Sequence, residues 1–489
     1  MQTNRKLARF EFSSLIRIET TMSDPQSTLD RFRPRTAWAA YFPNGGNPWD
    51  SKKVAHLLRR ATFGARLEQL KIGLDLRPAS LVSSLLQGDD DQIEFESKMH
   101  SLVETAIASH DVRQLQAAWV VRMLSSPHPL QERLTLFWHD HFATSQAKVD
   151  SLRLMQQQND TLRQHALGHF SDLLTAMVRD PAMLIWLDSD TNRKGNPNEN
   201  LAREVFELFS LGVDNYTEDD IKEAARALTG WSVQNERAVF DPSKHDSGPK
   251  TILGQTGRWT AGDVARIALQ QPACARFLVR KIFREFVSET VELRDELLDP
   301  LADEYRLRDY DTAWLLGTIF RSWVFYSDAA IGQRIKSPVE FLIGAVRTLG
   351  GQASPVKLAE ACDTLGQSLF FPPSVKGWDG GTEWIDPNAV LLRQNLAYQL
   401  TRGNGPATHC DPAALASKMK LNEDQQTTQF FLRLFLQSED HAAGADIATA
   451  LREQRDQLRS PFRSDRAING LLAREAAHLV MSLPEFQVS

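Results

Sequence analysis

Residues 188–231 read DSDTNRKGNPNENLAREVFELFSLGVDNYTEDDIKEAARALTGW: a polar loop, a helix, a short turn and a second helix closed by Gly-Trp. Leu201, Val205, Leu208 and Phe209 recur at helical spacing. Glu199, Arg203 and Glu207 fall four residues apart on another face, the spacing of an ion-pair ladder. Pro197 suits a first helical turn, where its missing N–H removes no bond, and Asn196 or Asn198 can cap the exposed donors. Gly212 supplies a left-handed stop. Thr217 with Asp220 opens the next helix, Ile221, Ala224, Ala225 and Leu228 form its buried stripe, and Gly230 ends it. Only the polar lead-in, Asp188 to Glu199, is left without a packing role.

The same helical period extends on both sides. Val54, Leu57, Leu58 and Ala61 form one stripe; Leu115, Ala118, Trp119 and Met123 form another, broken at Pro127 and Pro129. Leu130, Leu134 and Phe137 resume it. After Trp231, short alternating runs around SVQ and AVF flank Asn235-Glu236 as a β-hairpin, followed by a Gly/Pro-rich loop. A second irregular block, SLFFPPSVKGWDGGTEWIDP, ends at Pro387. The fold class is therefore mainly α: a large multi-helix domain with a small β-hairpin and irregular insertion and a C-terminal helical segment. The expected organisation is a polar tail over 1–48, a helical core over 49–405 with irregular insertions near 231–260 and 370–387, and a helical segment over 412–489.

At 489 residues the chain can bury two or three cores or one large one. Its 56 basic and 62 acidic residues are interspersed, with a net charge of -6, so no nucleic-acid surface is indicated. Cys274, Cys362 and Cys410 are too scattered for a disulfide framework or a CxxC metal site. No run approaches the roughly 18 apolar residues of a membrane span. The first 22 residues make a poor signal peptide, interrupted by Glu11, Ser13, Ser14 and Arg17, and Met22 is an alternative start. The cytoplasm is the default location; export to the periplasm is the alternative.

Seven blocks in order resemble a bacterial family known as domain of unknown function eighteen-hundred. They are HLLRRATFGA, ERLTLFWHDHF, NPNENLAREVFELFSLGV, YTEDDIKEAARALTGW, HDSGPKTILGQTG, SPVEFLIGAVRTLG and PPSVKGWDGGTEWI, spread over roughly residues 50 to 400. The C-terminal SLPEFQ is similar as well. One departure is the turn between LGV and YT, which is only Asp214-Asn215 here, where the family often carries extra glycines. The resemblance implies no activity. It does imply a protein partner, because genes of this family commonly sit beside those of a second family that looks similar to alkaline phosphatases and sulfatases.

Four constellations could carry chemistry. Asp188, Asp190, Asn192, Lys194, Asn196 and Glu199 fall at positions 1, 3, 5, 7, 9 and 12 of a calcium-loop frame, oxygen ligands that a hard cation such as calcium or magnesium would take. Against this, Arg193 replaces the turn glycine and Pro197 intrudes, and loop and helix capping explains the same residues. His139 and His141 suggest a metal, yet side chains two apart on a helix point about 200° apart. His245 and Asp246, with Lys250, could form an acid/base or anion-binding group, or simply bond their own loop. Lys376, Trp378 and Trp384 form either a contact surface or a buried tryptophan lock.

No GxSxG, P-loop, dinucleotide or HExxH motif is present. The leading expectation is a non-catalytic binding or assembly protein that works with a phosphatase/sulfatase-like partner through its irregular blocks. The competing expectation is a metal-dependent hydrolase using Asp188, Asp190 and Glu199 with His245 and Asp246.

Overall fold

The computed structural model describes residues 24–89, 91–403, 410–437 and 441–489. Its described residues form 26 α-helices and two separate two-stranded sheets, so the chain is mainly α. The central stretch folds as its pattern dictates. Helices run Asn200–Glu207 and Glu218–Ala227, the second opened by a Thr217–Asp220 capping box. Leu201, Val205, Phe209, Ile221, Ala224, Ala225 and Leu228 are buried, and Gly212 and Gly230 both take the left-handed conformation. Two details differ. Pro197 lies ahead of the helix, and Asn198 Oδ1 accepts the Asn200 N–H at 2.9 Å. The expected Glu199–Arg203–Glu207 ladder is opened in favour of ties to the following segment: Arg203 is bidentate to Glu218 at 2.7 and 2.8 Å, and Glu207 accepts the Tyr216 hydroxyl at 2.8 Å. Ties between elements prevail because the two helices pack side by side.

The hairpin is present as expected, with strands Trp231–Gln234 and Arg237–Phe240 joined through Asn235 and Glu236, both at positive φ. The loop beyond it holds a second hairpin that its glycines concealed, Lys250–Ile252 against Gln255–Gly257, turning at Leu253-Gly254. The described part of the expected tail is docked: Pro25–Asp30 and Pro34–Ala37 are short helices, and Leu29, Ala37 and Tyr41 are buried. The remainder of that tail, with Met22, and part of the linker after Arg402 lie outside the described residues.

Buried apolar side chains form two large clusters. One gathers helices such as Ser51–Ala61, Phe170–Met177, Pro272–Phe286 and Thr312–Arg321. The other gathers Val112–Ser125, Pro338–Leu349, Pro355–Thr364 and the C-terminal helices Asp424–Leu436 and Asp465–Met481. The C-terminal segment therefore shares a core with elements three hundred residues earlier. The helix Pro129–His141 serves both clusters: Leu130, Leu134, Phe137 and Trp138 face one, and Leu136 the other.

Several arginines reach into this interior, and their partners are helix C-termini. Arg59 donates to Phe435 O at 3.0 Å, Arg60 to Val287 O at 3.0 Å, and Arg347 to Leu124 O at 2.9 Å, each carbonyl in or just past the last turn of a helix. Those carbonyls lack intrahelical donors and carry the negative end of the helix dipole, so a guanidinium satisfies both.

Candidate functional site

The sequence WHDHF ends the Pro129–His141 helix, and its two histidines diverge as helical geometry requires. His139 packs against Trp119, Phe370 and Trp378, with ring centroids 5.2, 5.7 and 5.9 Å away, and burial lowers its pKa to about 3. His141 enters a different pocket lined by Phe142, Phe170 and Phe209. Its Nε2 lies 3.1 Å from Phe209 O and its Nδ1 3.1 Å from Lys281 Nζ. A lysine ammonium can only donate, so Nδ1 accepts, Nε2 bears the proton and the imidazole is neutral. Burial first, then the Lys281 charge, holds its pKa well below the ordinary value.

Between them stands Asp140, which the sequence did not single out. Its Oδ1 accepts the Trp378 N–H at 2.7 Å, and the Gly377-Trp378 turn closes over it. Gly377 has φ +84°, and a Cβ there would fall 2.1 Å from Asp140 Oδ1 and 2.5 Å from Asp140 O, so only glycine fits. Asp140 is half-buried, and desolvation raises its pKa to about 7 against the opposing Trp378 N–H and Lys281 charge. Lys281 is depressed to about 8, again mainly by burial, with Asp140 opposing. Each thus sits in the other's field, the Lys281 charge drawing the Asp140 pKa down and the Asp140 charge drawing the Lys281 pKa up, both against burial.

Two turns back along the same face, Arg133 opens a closed ion network. It donates to Glu285 Oε1 at 2.5 Å and Glu340 Oε1 at 2.8 Å; Arg334 returns to Glu340 at 2.6 and 2.7 Å and to Glu285 Oε2 at 2.9 Å. Arg133, Arg334 and Glu340 are buried between the two apolar clusters. Burial alone would raise the Glu340 carboxyl, but the two guanidiniums overcome it and hold the pKa far below the usual range. The sequence carried only part of a signal for this site: opposite charges on one face of each helix, Arg133 and Asp140 two turns apart and Lys281 and Glu285 one turn apart, with nothing to say that the two helices meet.

The other candidates are engaged separately. Asp188 takes a left-handed conformation and pairs with Lys148 at 2.7 Å on the surface. Asn192 is buried, donating to Ala225 O at 3.0 Å and accepting Asn198 N–H at 2.9 Å, and so pins the loop to the Glu218–Ala227 helix. Asp190 is half-buried beside it, and Glu199 points toward Arg203 at 4.0 Å. Among the described residues no three His, Cys, Asp or Glu side chains are grouped to hold a metal ion.

His245 Nδ1 lies 2.9 Å from Thr229 O. Asp246 receives Arg226 at 2.8 and 3.3 Å and Gly248 N–H at 2.9 Å, and these bonds, that from Arg226 first, lower its pKa to about 2. Lys250 is buried and donates to the carbonyls of Asp246 and Gly248. Of the block near 370–387, Lys376 is exposed and Trp378 half-buried, while Trp384 is only 8% exposed.

Fold and site together define a large helical protein with a buried polar seam beneath a glycine-tryptophan turn. A family profile described as protein of unknown function (DUF1800) matches residues 56–488, nearly the whole chain, and the chain belongs to that family. No curated protein and no solved structure matches it. Among the described residues no helix is long and apolar enough to cross a membrane.

Proposed function

We propose that the chain is a non-catalytic binding or assembly protein whose contact surface is formed by its two irregular blocks. The observation that carries this is their convergence on one short segment, residues 146–153. Gln146 N–H donates to Phe370 O at 2.9 Å, where the second block begins. Ser151 Oγ donates to Glu236 at 2.9 Å, at the hairpin turn of the first. Stretches more than a hundred residues apart are thereby anchored to one short segment, and Val239, Phe240 and Lys376 within them are exposed. The groups suited to acid/base work in the first block, His245, Asp246 and Lys250, are engaged in holding it, which further favours a binding role.

The partner is a protein of the alkaline phosphatase/sulfatase type, and the three buried, unpaired cysteines support a reducing compartment such as the cytoplasm. Co-purification of the tagged chain at native expression, with crosslinks mapped to residues 231–245 and 373–383, tests the reading. A clean monomer under several conditions overturns it. Elemental analysis of chelator-free protein separates it from the metal-dependent hydrolase: a stoichiometric divalent metal would reverse the choice.

A further inference from the structure

A cleft of about 320 Å³ opens among the helices Gln92–Ala108, Val112–Ser125, Pro129–His141 and Leu152–Gln164, and none of its lining belongs to either irregular block. That is the lower end of the volumes that small-molecule sites take, in a place where helical bundles commonly build them. Its walls disfavour two classes of ligand at once. The charges balance, Glu96 and Asp160 against Arg122 and Arg163, and they are already paired. Arg122 is bidentate to Glu96 at 2.7 and 2.8 Å; Arg163 bonds Asp160 at 2.8 Å and the buried Glu132 at 2.6 and 3.2 Å. A ligand of either net charge would have to break one of these pairs to be neutralised. Among the described residues Val103 is the one aliphatic side chain in the lining, so an apolar ligand finds little to cover.

A neutral, polar ligand remains, and the amides narrow its kind. Four of the ten lining residues are glutamines, Gln92, Gln131, Gln156 and Gln164, each with donors and an acceptor on one rigid plane. Three of them are held in place. Gln92 donates to Gln131 at 3.3 Å, Gln131 to Arg163 O at 3.1 Å, and Gln156, only 6% exposed, to Asp160 Oδ1 at 2.8 Å.

Among the described residues those bonds leave the carbonyl oxygens of Gln92 and Gln156 without a donor, and Gln164 makes no hydrogen bond at either end. Asp160 Oδ2 is open as an acceptor, since both bonds to that carboxylate fall on Oδ1. On the donor side the Arg122 Nε–H has no acceptor among the described residues, and His100 adds an imidazole, which in its neutral form does both. Free donors and free acceptors thus stand together in one lining. A hydroxyl is the neutral group that donates and accepts at a single atom. Neighbouring hydroxyls on a ring also suit planar carboxamide and carboxylate groups, whose two polar atoms can bond both at once.

We propose that this cleft binds a small neutral polyhydroxyl compound, a single sugar or cyclitol ring. Saturation-transfer difference NMR of the full chain tests this with D-glucose, D-galactose, D-mannose and myo-inositol. Cyclohexanol serves as a ring without the hydroxyl array, and putrescine and glutarate as charged probes. At least one of the four is expected to bind saturably at millimolar concentration, with an affinity that high salt leaves unchanged, and cyclohexanol and the charged probes are not. Gln156→Leu and Gln164→Leu are each expected to weaken binding about three- to tenfold, the span of one neutral hydrogen bond. Gln164 is exposed, so its variant is expected to melt with the unaltered protein and carries the test should the buried Gln156 change unsettle the fold.

The methyl glycoside of the best-binding sugar distinguishes the sources. Unchanged affinity assigns the ring to a glycoside or the end of a glycan, weaker binding assigns it to a free reducing sugar, and binding of myo-inositol alone assigns it to a free cyclitol. No saturable binding of any of the four, unchanged affinity in both variants, or binding of cyclohexanol, putrescine or glutarate as tight as that of the rings would overturn the proposal.

Discussion

Around residues 188–226 most charges stand at or near the surface and bond to neighbouring segments; around Asp140 charges of the same kinds stand between helices. Lys148 and Asp188 approach to 2.7 Å with about half of each side chain in water. Arg334 and Glu340 approach to 2.6 Å with less than a tenth exposed. Almost equal distances thus have unequal consequences, because solvent screens the first pair and is excluded from the second. Polar density along the sequence drew attention to the exposed region, whereas the carboxyl and the amine that burial brings to about 7 and about 8, Asp140 and Lys281, lie in the buried one.

The comparison breaks most readily at Glu340. Glu340→Gln leaves Arg133 and Arg334 short of their shared anion, and a loss of about 3–5 kcal/mol is expected in chemical denaturation. A loss below about 1 kcal/mol would place the network in the same class as the surface pairs.

The next effect is on pH dependence. Asp180 caps the Pro181–Trp186 helix from a buried position, and desolvation raises its pKa to about 7 from an ordinary value near 4. The neutral form is the one favoured in the fold. The contribution is therefore fully present below about pH 4 and is lost as pH rises through 7. Asp180→Asn keeps an acceptor for Met183 N–H and is expected to flatten the stability profile relative to the unaltered protein by up to about 1.4 kcal/mol per pH unit in that window. Parallel profiles for the two proteins would refute the raised pKa.

Gly377→Ala sharpens the comparison at the turn. The added methyl meets Asp140, and a cost of about 1–3 kcal/mol with altered tryptophan fluorescence is expected in thermal melts. Smallest is Arg203→Ala, whose half-open pair with Glu218 is expected to contribute about 1 kcal/mol or less, declining further in salt.

Much of the architecture was legible because helices announce themselves locally. The stripes of the central stretch, the Thr217 capping box and the Asn235-Glu236 turn each depend on residues within a few positions. The second hairpin was not legible, since strands of three residues around Leu253-Gly254 offer almost no alternation. Arg203 chose Glu218 over its own helix because tertiary proximity outweighs an i,i+4 pair of a few tenths of a kcal/mol. Asp140 was missed for a different reason: its pKa is raised by burial, which Trp378 and Lys281 oppose from more than a hundred residues away, and no local pattern records that packing.

One further consequence concerns time. Residues 334–336, which hold one corner of the ion network, are bonded to 486–489: Ser489 N–H to Arg334 O at 2.8 Å, Lys336 N–H to Gln487 O at 2.9 Å, and Lys336 Nζ to Phe486 O at 2.6 Å. At ordinary translation speeds the second segment emerges roughly 8 to 30 s after the first. During that interval the Arg334–Lys336 strip waits with its hydrogen bonds unmade, and contacts of such long sequence separation form slowly even afterwards. The middle of the chain is therefore finished late, and a nascent protein stalled before Phe486 would hold its charged interior open to water and to chaperones.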